Sequence, residues 1–264
     1  MNPSLPVPLD VKLMNVTASV LFVVCVVLVL AAGAWWVLRH PAFAIGRIVV
    51  QGELVHNNAV TLRANVAPQL VGNFFTINLG AAREAFEQVP WVRSAQVRRE
   101  YPRTLRVVLQ EHHAIAHWGD EAQSTMVNSQ GEVFEANGSD ADEDDLPRLH
   151  GPQGESAQVL QMFGQLQPVF APYGMAVEAL ELTSRGGWRA TLGSAAVVEL
   201  GGGTPAQVVQ RTQRFLRTLT QVAAQYRRGV EALESADLRH AGGYALRLRG
   251  VTTVAQGAAA PVRR

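Results

Sequence analysis

Cysteine is nearly absent from this 264-residue sequence, and so is an excess of charge of either sign. The single cysteine, Cys25, lies in an apolar run, which excludes a disulfide within the chain and a thiolate metal site or cysteine nucleophile outside that run. The formal net charge is +1, from 23 basic and 22 acidic residues. This balance indicates neither a nucleic-acid-binding protein nor an acidic, solvating chain.

Charge and proline are also missing from Val16 to Leu38, a run of 23 residues. A helix rises about 1.5 Å per residue, so this run covers roughly the 30 Å hydrocarbon core of a bilayer. Trp35 and Trp36 stand at its far end, where amphipathic rings favour the headgroup zone. The pattern predicts a transmembrane helix at 16–38, a short tail at 1–15, and a large remainder tethered to the membrane.

A cleaved signal peptide is the alternative interpretation of this run. Ala32-Gly33-Ala34 offers a small-x-small cleavage pattern, but the leader has only Lys12 as a basic residue and the apolar run exceeds a usual signal core. A retained anchor is therefore favoured. Arg39 and Arg47 beyond the run rival Lys12 before it, so the positive-inside rule does not decide the orientation. The very short N-terminal flank favours export of the large C-terminal part.

The first 70 or so residues after the span predict a domain at 42–113 with the order β-α-α-β-β. Its expected core is Leu62, Val66, Phe86, Val97, Val107 and Leu109. Asn58 is the expected cap of the first helix, and Pro68 and Pro90 end the two helices. The expected strands are Ile45–Val50, one around Ala95 and Val97, and one over Leu105–Leu109.

From Ala114 the pattern becomes strand-dominated, which predicts a second domain at 114–249 and a disordered tail at 250–264. Trp188, Val198, Phe215 and Leu219 are expected in its core. Two helices are predicted, one over Ser156–Phe170 and one beginning at a Thr204–Gln207 capping box. The expected strands include Ala116–Trp118, Thr125–Val127, Glu132–Phe134, Ala176–Thr183, Gly187–Leu192, Ala195–Leu200, Glu231–Arg239 and Tyr244–Arg249. The fold class is α+β.

Four motifs occur in order along the chain, at Pro90–Pro102, Glu111–Ala116, Leu146–Pro152 and Asp237–Leu246. Together they resemble the FtsQ/DivIB family of bacterial cell-division proteins. The stretch from Pro90 to Pro102 resembles the signature of that family's POTRA domain, and Glu111–Ala116 continues it. Leu146–Pro152 is similar to the family's "LPxLxGP" segment. Asp237-Leu238-Arg239 followed by Gly243-Tyr244-Ala245-Leu246 resembles its closing hairpin, with His240 where tyrosine is commoner.

The resemblance implies a single-pass inner-membrane protein whose bulk is periplasmic, with a POTRA domain followed by a β domain. Proteins of this family are not enzymes, so the resemblance implies no catalytic residue, cofactor, metal or small-molecule substrate. It implies a divisome scaffold that binds FtsB and FtsL, with further divisome contacts through the POTRA domain. The partner-binding residues carried over are Arg185, Asp237, Leu238, Arg239, Gly243, Tyr244, Ala245, Leu246 and Arg247.

The physical chemistry of the closing hairpin is compatible with this expectation. A final strand is often an edge strand, whose unpaired N–H and C=O groups can accept a partner strand. Alternation would put Arg247 and Arg249 on one face and Tyr244, Leu246 and Leu248 on the other. Arginines at an edge can pair with a partner's carboxylates or merely protect the edge from aggregation, and the residues alone favour neither.

Three other patterns are better explained by structure than by chemistry. His112 and His113 point to opposite faces of a strand and cannot converge with His117 on one metal ion. Asp140, Asp142 and Asp144 lack the glycine and glutamate of a calcium loop. Gly201–Thr204 lacks the phosphate-loop lysine and is a turn followed by a helix cap.

Two other function classes fit the sequence less well than a scaffold. A membrane-tethered hydrolase or ligand-binding enzyme would need convergent polar groups, and the sequence offers no such set. An outer-membrane assembly factor would need tandem POTRA repeats or a barrel pattern, which are missing from the sequence.

Overall fold

The computed structural model describes residues 9–38, 40–120, 124–136, 145–240 and 242–251. Contacts divide the chain into two compact units, Met1–Glu111 and His112–Arg264. The predicted acidic loop lies outside the described residues except for Asp145, and the predicted tail does so except for Gly250 and Val251. Val251 packs against the second core, so the fold extends slightly further than expected.

Helix α1 (Leu9–Leu38) is long and apolar enough, by length and composition, to cross a membrane. Its Asp10–Val37 stretch has a hydropathy of 2.8 and is not buried within the protein. The helix begins at Leu9 rather than Val16, so residues 9–15 of the predicted short tail are helical and continue into the apolar span. Hydropathy marks only the apolar part of a helix, and the backbone hydrogen bonds continue through Asp10 and Lys12.

The first unit has the predicted β-α-α-β-β order after α1. The elements are β1 (Arg47–Gly52), α2 (Ala59–Val66), α3 (Leu79–Glu87), β2 (Val92–Glu100) and β3 (Thr104–Glu111). In the three-stranded sheet β3 is central, with β1 parallel and β2 antiparallel to it. Asn58 and Asn78 cap the two helices, each accepting a backbone N–H at 2.9 Å.

Two small clusters form the interior of this unit. One gathers around Phe86 between the helices and the sheet, and the other joins Ile77, Ala82 and Leu105. The predicted core residues are buried except Val97, which is half-buried. Gly52 ends β1 with a φ of +118°, and a Cβ there would meet the carbonyl oxygen of Leu109, so only glycine fits this close approach.

The second unit is built on a nine-stranded sheet. Its strands are β4 (Ala114–Trp118), β5 (Thr125–Asn128), β6 (Val133–Glu135), β7 (Arg148–His150), β8 (Val177–Leu182), β9 (Trp188–Leu192), β10 (Val197–Gly201), β11 (Leu233–Asp237) and β12 (Ala245–Leu248). Their order in the sheet is β12-β11-β10-β9-β8-β7-β4-β5-β6. The sheet is mixed, with parallel pairs at β4–β7, β7–β8 and β10–β11. β7 was not predicted as a strand.

Two helices cover the core of this sheet, α4 (Ser156–Phe170) against β7 and β8 and α5 (Pro205–Gln225) against β10. The predicted capping box begins α5: Thr204 N donates to Gln207 Oε1 at 2.9 Å, and Gln207 N donates to Thr204 Oγ1 at 3.4 Å. All four predicted core residues are buried in one continuous cluster. The two helices therefore cover the middle of the sheet, from β7 to β10.

Candidate functional site at the closing hairpin

Strand β12 lies at one edge of the nine-stranded sheet. It pairs antiparallel with β11, and no other strand of the described residues pairs with it. Leu248 is buried, Leu246 is half-buried and Arg247 is exposed, as the alternation predicts. The outer row of backbone N–H and C=O groups on β12 is therefore available to a further strand.

The turn that contains Arg185 lies at the same end of the sheet as the closing hairpin. The β8–β9 turn, the end of β10 and the end of β11 share this end, because β8 and β9 are antiparallel and β10 and β11 are parallel. A Cβ on Gly202 would lie 3.1 Å from the carbonyl oxygen of Gly186, and one on Gly201 would lie 3.2 Å from Arg239 Cγ. The turn at Gly201 and Gly202 therefore lies between Arg239 and the turn that carries Arg185.

Arg185 stands at the exposed tip of a tight turn. Thr183 N donates to Gly187 O at 2.8 Å, and Gly187 N donates to Thr183 Oγ1 at 3.0 Å. Gly186 has a φ of +76°, which glycine adopts without strain. These bonds fix the backbone of the turn and leave the Arg185 side chain directed away from the core.

An ion pair holds the Asp237–Arg239 segment together. The Asp237 carboxylate accepts from Arg239 Nε at 2.9 Å, from Arg239 Nη2 at 2.6 Å and from the Arg239 backbone N–H at 3.0 Å. The side-chain hydrogen bond from Arg239 lowers the pKa of Asp237 from 3.8 to about 2. Asp237 therefore stays ionised throughout the neutral range, so its titration does not alter the charge of the hairpin at neutral pH.

Two residues of the predicted partner site, Leu238 and Tyr244, pack toward the protein interior. Leu238 is only 2% exposed and belongs to the core. The Tyr244 hydroxyl donates to Thr218 Oγ1 at 2.7 Å, and its ring stands edge-on to Phe215 with the centroids 5.0 Å apart. Leu238 therefore packs into the core beneath the hairpin, and half-buried Tyr244 joins the hairpin to α5.

Gly243, Ala245 and Arg247 complete the set on the exposed side. A Cβ on Gly243 would meet nothing within 4 Å, so the backbone there is open to approach. Ala245 is exposed. Arg247 Nε lies 3.4 Å from Glu234 Oε2 in an exposed ion pair across to β11. The outward surface of the hairpin thus combines small residues with a cation.

Clefts lie on both sides of the hairpin. One of about 440 Å³ separates it from α5 and includes Arg211 and Arg214, and another of about 320 Å³ lies over β10, β11 and β12. Arg211 also donates to the carbonyl oxygens of Leu200 and Gly202, which fixes the turn beside Arg239. Sequence reasoning missed Arg211 and Arg214, although their place on the α5 helix period next to Phe215 is a usable signal.

Within the described residues, no group of three or more histidine, cysteine, aspartate or glutamate side chains is arranged to hold a metal ion. His112 lies between β3 and β4 and not in a strand, with its Nδ1 2.9 Å from Asn128 Nδ2 and its ring stacked on Phe134. Glu111, from the same sequence motif, is buried in the first unit and accepts hydrogen bonds from the Val55–Asn57 loop. This motif is therefore structural in both units.

An apolar N-terminal helix, a β-α-α-β-β domain and a β-rich domain with an open closing strand define a membrane-anchored POTRA protein. Residues 43–112 match the family model described as a POTRA domain of the FtsQ type. Residues 116–239 match the one described as the C-terminal region of the cell division protein FtsQ/DivIB.

Curated relatives extend this match over most of the chain. A cell division protein FtsQ of Thiomonas arsenitoxydans is 37% identical over 247 residues, covering 93% of this chain and 90% of the relative. One of Burkholderia pseudomallei is 36% identical, covering 92% and 94%, and one of Bordetella pertussis is 37% identical, covering 90% and 92%. This chain belongs to the FtsQ family of cell division proteins.

The family assignment and the helix together make the chain a single-pass membrane protein with a role in cell division. Family membership gives divisome proteins as its partners. The match to the C-terminal family model ends at Arg239, before β12. The family model therefore does not include β12, and a role for this strand has to be inferred from its geometry.

Proposed function

We propose that this protein is an inner-membrane division scaffold whose domains lie in the periplasm, bind FtsB and FtsL, and link early and late divisome proteins during septum formation. The observation that supports this most directly is the open edge of β12 with Arg185 at the same end of the sheet. The boundaries 42–113 and 114–249 are the proposed limits of its two independently folding domains.

The proposed binding mode is strand addition to β12. A partner strand would take up the outer N–H and C=O groups of Ala245 to Leu248, and these main-chain bonds would supply affinity. Selection would come from side chains on alternate positions, with Leu246 and Arg247 facing opposite sides of the added strand. Four residues pair weakly by themselves, so further contacts are needed for a stable complex.

Arginines supply those further contacts in the proposal. Arg185 and Arg247 are exposed and suit carboxylates on the partner, because a guanidinium can bond a carboxylate through two N–H groups. Arg239 keeps its pair with Asp237 and holds the hairpin in shape. Leu238 and Tyr244 act as positioning residues, since their side chains join the hairpin to the core and to α5.

A membrane-tethered hydrolase is the alternative function class. Neither cleft beside the hairpin combines a nucleophile with a hydrogen-bonded base among the described residues, and family membership points to division instead. The scaffold is therefore the function that the site supports best. Its orientation is tested by a reporter that is active only after export, fused after Gly250, which should be both active and membrane-bound.

Charge reversal at Arg185 tests the partner site. We expect Arg185→Glu to weaken binding of the full chain to FtsB more than tenfold, because a desolvated charge pair costs about 2–5 kcal/mol when one partner is lost. Arg217→Glu is the matched control, since Arg217 is exposed on α5 and lines a different groove, against α4. The control should change affinity less than about threefold. Circular dichroism verifies the fold of each variant, and unchanged affinity for both Arg185→Glu and Tyr244→Ala would place the partner site elsewhere.

A further inference from the structure

The first domain is joined to the membrane span by a short, folded linker. α1 ends at Leu38, and Ala44 already contacts the domain. His40 N donates to Val37 O at 3.1 Å and Phe43 N donates to His40 O at 3.0 Å, so the linker is turned and not extended. The domain is thus held close to the end of the helix.

Two loops of the domain are bonded directly to this linker. Phe74 N donates to Phe43 O at 2.9 Å, and the rings of Phe43 and Phe75 stand edge-on at 5.2 Å. From the β2–β3 turn, Arg103 Nε donates to Ala44 O at 3.1 Å, and Gly46 N donates to Arg103 O at 2.9 Å. We call this part of the domain, comprising Phe43–Arg47, Phe74–Ile77 and Arg99–Arg103, the proximal end.

Chain length places the proximal end at the bilayer surface. Five residues separate Leu38 from Ala44, and the six steps between them span only about 20 Å even when fully extended. The headgroup layer is itself about 5–7 Å thick on each side of the hydrocarbon core. With Trp35 and Trp36 at the interface, a turned linker brings the loops that it contacts to within reach of the headgroups.

The proximal end exposes aromatic side chains. Phe75 is 47% exposed and Tyr101 is 85% exposed. Aromatic side chains suit the membrane–water interface, because one part of the side chain can lie in the apolar layer while the other part stays hydrated. At the opposite end of the domain the large exposed apolar side chains are aliphatic and include Val55, which is 77% exposed, and Val60, which is 67% exposed.

Charge divides between the same two ends. Arg47, Arg99 and Arg103 are exposed at the proximal end, and the one carboxylate there, Glu100, is paired with Arg106 at 2.8 Å. The acidic residues Glu53, Glu87 and Glu111 belong to the opposite end, where β1, α3 and β3 finish. The proximal end is thus basic, and the other end carries the carboxylates.

Hydrogen bonds hold two of these arginines in place. Arg99 Nη2 donates to Ile77 O at 2.7 Å, and Arg103 Nε bonds the linker carbonyl of Ala44. A guanidinium has five N–H groups, so each arginine retains donors for a phosphate oxygen. Because the side chains are already ordered, less rotamer entropy is lost when they bind.

We propose that the proximal end is a lipid-contact site for anionic phospholipid headgroups, with Phe75 and Tyr101 in the interfacial zone and Arg47, Arg99 and Arg103 facing the phosphates. Anionic lipids attract basic groups that lie within a Debye length of the surface. The inference goes beyond the partner site on β12, uses different residues, and depends only on α1 being inserted in the bilayer.

Spin labels on the full-length chain test the depth of this end. In a Cys25→Ala background, single cysteines replace Phe75, Tyr101 or Val55, and each carries a nitroxide. The proteins are placed in nanodiscs of phosphatidylcholine alone or mixed with phosphatidylglycerol. We expect labels at 75 and 101 to be shielded from a water-soluble nickel chelate in the mixed nanodiscs, while the label at 55 stays accessible. Equal accessibility at all three positions would overturn the proposal.

Charge reversal tests the recognition of anionic lipid separately. Arg47→Glu should lower the ratio of membrane-contacting to free label at 101 by at least about fivefold in the mixed nanodiscs, following the contribution of roughly one basic residue. Arg63→Glu on α2 is the control and should leave the ratio unchanged, because Arg63 is exposed outside the proximal end. Shielding that depends neither on phosphatidylglycerol nor on Arg47 would overturn anionic recognition.

Discussion

The two domains expose different kinds of chemical group. The first presents aromatic and arginine side chains beside the linker, whereas the second presents the backbone edge of β12 with Arg185 nearby. Side chains without a fixed register suit a fluid surface such as lipid headgroups. A backbone edge suits a single extended segment with a defined register. The two proposed recognition modes therefore use separate sets of residues.

The interiors of the domains differ as well. The second domain has one continuous cluster under α4 and α5, whereas the first divides its buried residues between two small clusters. A smaller domain buries a smaller share of its surface and has less stability to lose. An equal loss of free energy should therefore unfold a larger fraction of the first domain than of the second.

Core truncation should give the largest effect. Phe86→Ala in the first domain and Phe215→Ala in the second each remove a fully buried ring and should cost about 3–5 kcal/mol of unfolding free energy. Hydrogen exchange on the full chain measures the two domains separately. We expect Phe86→Ala to speed exchange in β2 and β3 only, and Phe215→Ala to do so in β8 to β11 only. Faster exchange across both domains from either variant would contradict separate folding units.

Removal of the charge of Glu111 should have the next largest effect. Its carboxylate is 2% exposed and accepts from the backbone N–H groups of Val55, His56 and Asn57 at 2.9–3.0 Å. Glu111→Gln replaces these charge-assisted bonds and should destabilise the first domain by about 2–3 kcal/mol. Urea unfolding measures it, with the exposed Glu84→Gln expected to stay within about 0.5 kcal/mol. Equal effects of the two variants would remove the proposed role of Glu111 in holding the loop.

The same carboxylate predicts how acid affects the two domains. Burial raises the pKa of Glu111, but the hydrogen bonds from His56, Asn57 and Val55 outweigh this and leave the pKa below 4.5. A lowered pKa stabilises the fold above the unfolded value, and this stability is lost as the pH falls from about 4.5 through the lowered pKa. For Asp237 in the second domain the window is lower, from 3.8 to about 2. The first domain should therefore begin to lose stability at a higher pH than the closing hairpin, as hydrogen exchange against pH would show.

Arg247 should give the smallest effect on stability. Its ion pair with Glu234 is exposed, so Arg247→Gln should change the unfolding free energy by less than about 1 kcal/mol. Because Arg247 is also proposed to face a partner carboxylate, the same variant should weaken FtsB binding and reduce the salt dependence of that binding. Titration calorimetry with and without added salt measures the affinity and its salt dependence. A large loss of stability with unchanged FtsB binding would make Arg247 a structural residue and not a partner contact.

Local patterns predicted the helices and most strands correctly. The order β-α-α-β-β, the bounds of α4 and the capping box of α5 follow from apolar periodicity and cap chemistry, which are properties of neighbouring residues. β7 was missed because three residues show no period, and its pairing with β4 and β8 is fixed by distant parts of the chain.

The position of the closing hairpin at a sheet edge was predictable from the sequence, but the packing of its side chains was not. Motifs marked the closing hairpin, and the chain order made β12 a candidate edge. The inward orientation of Leu238 and Tyr244 depends on how α5 packs over the hairpin, which sequence spacing does not show. The loop-holding role of Glu111 was missed for the same reason, since its donors come from the distant Val55–Asn57 loop.

Hydrogen exchange on one sample set tests the separation of the two surfaces most directly. The full chain is compared in nanodiscs with and without phosphatidylglycerol, and with and without FtsB. We expect FtsB to slow exchange in β12 whatever the lipid, and phosphatidylglycerol to slow exchange at Phe74–Ile77 and Arg99–Arg103 whether or not FtsB is present. Unchanged exchange in β12 on addition of FtsB, with protection appearing at the proximal end instead, would contradict this expectation.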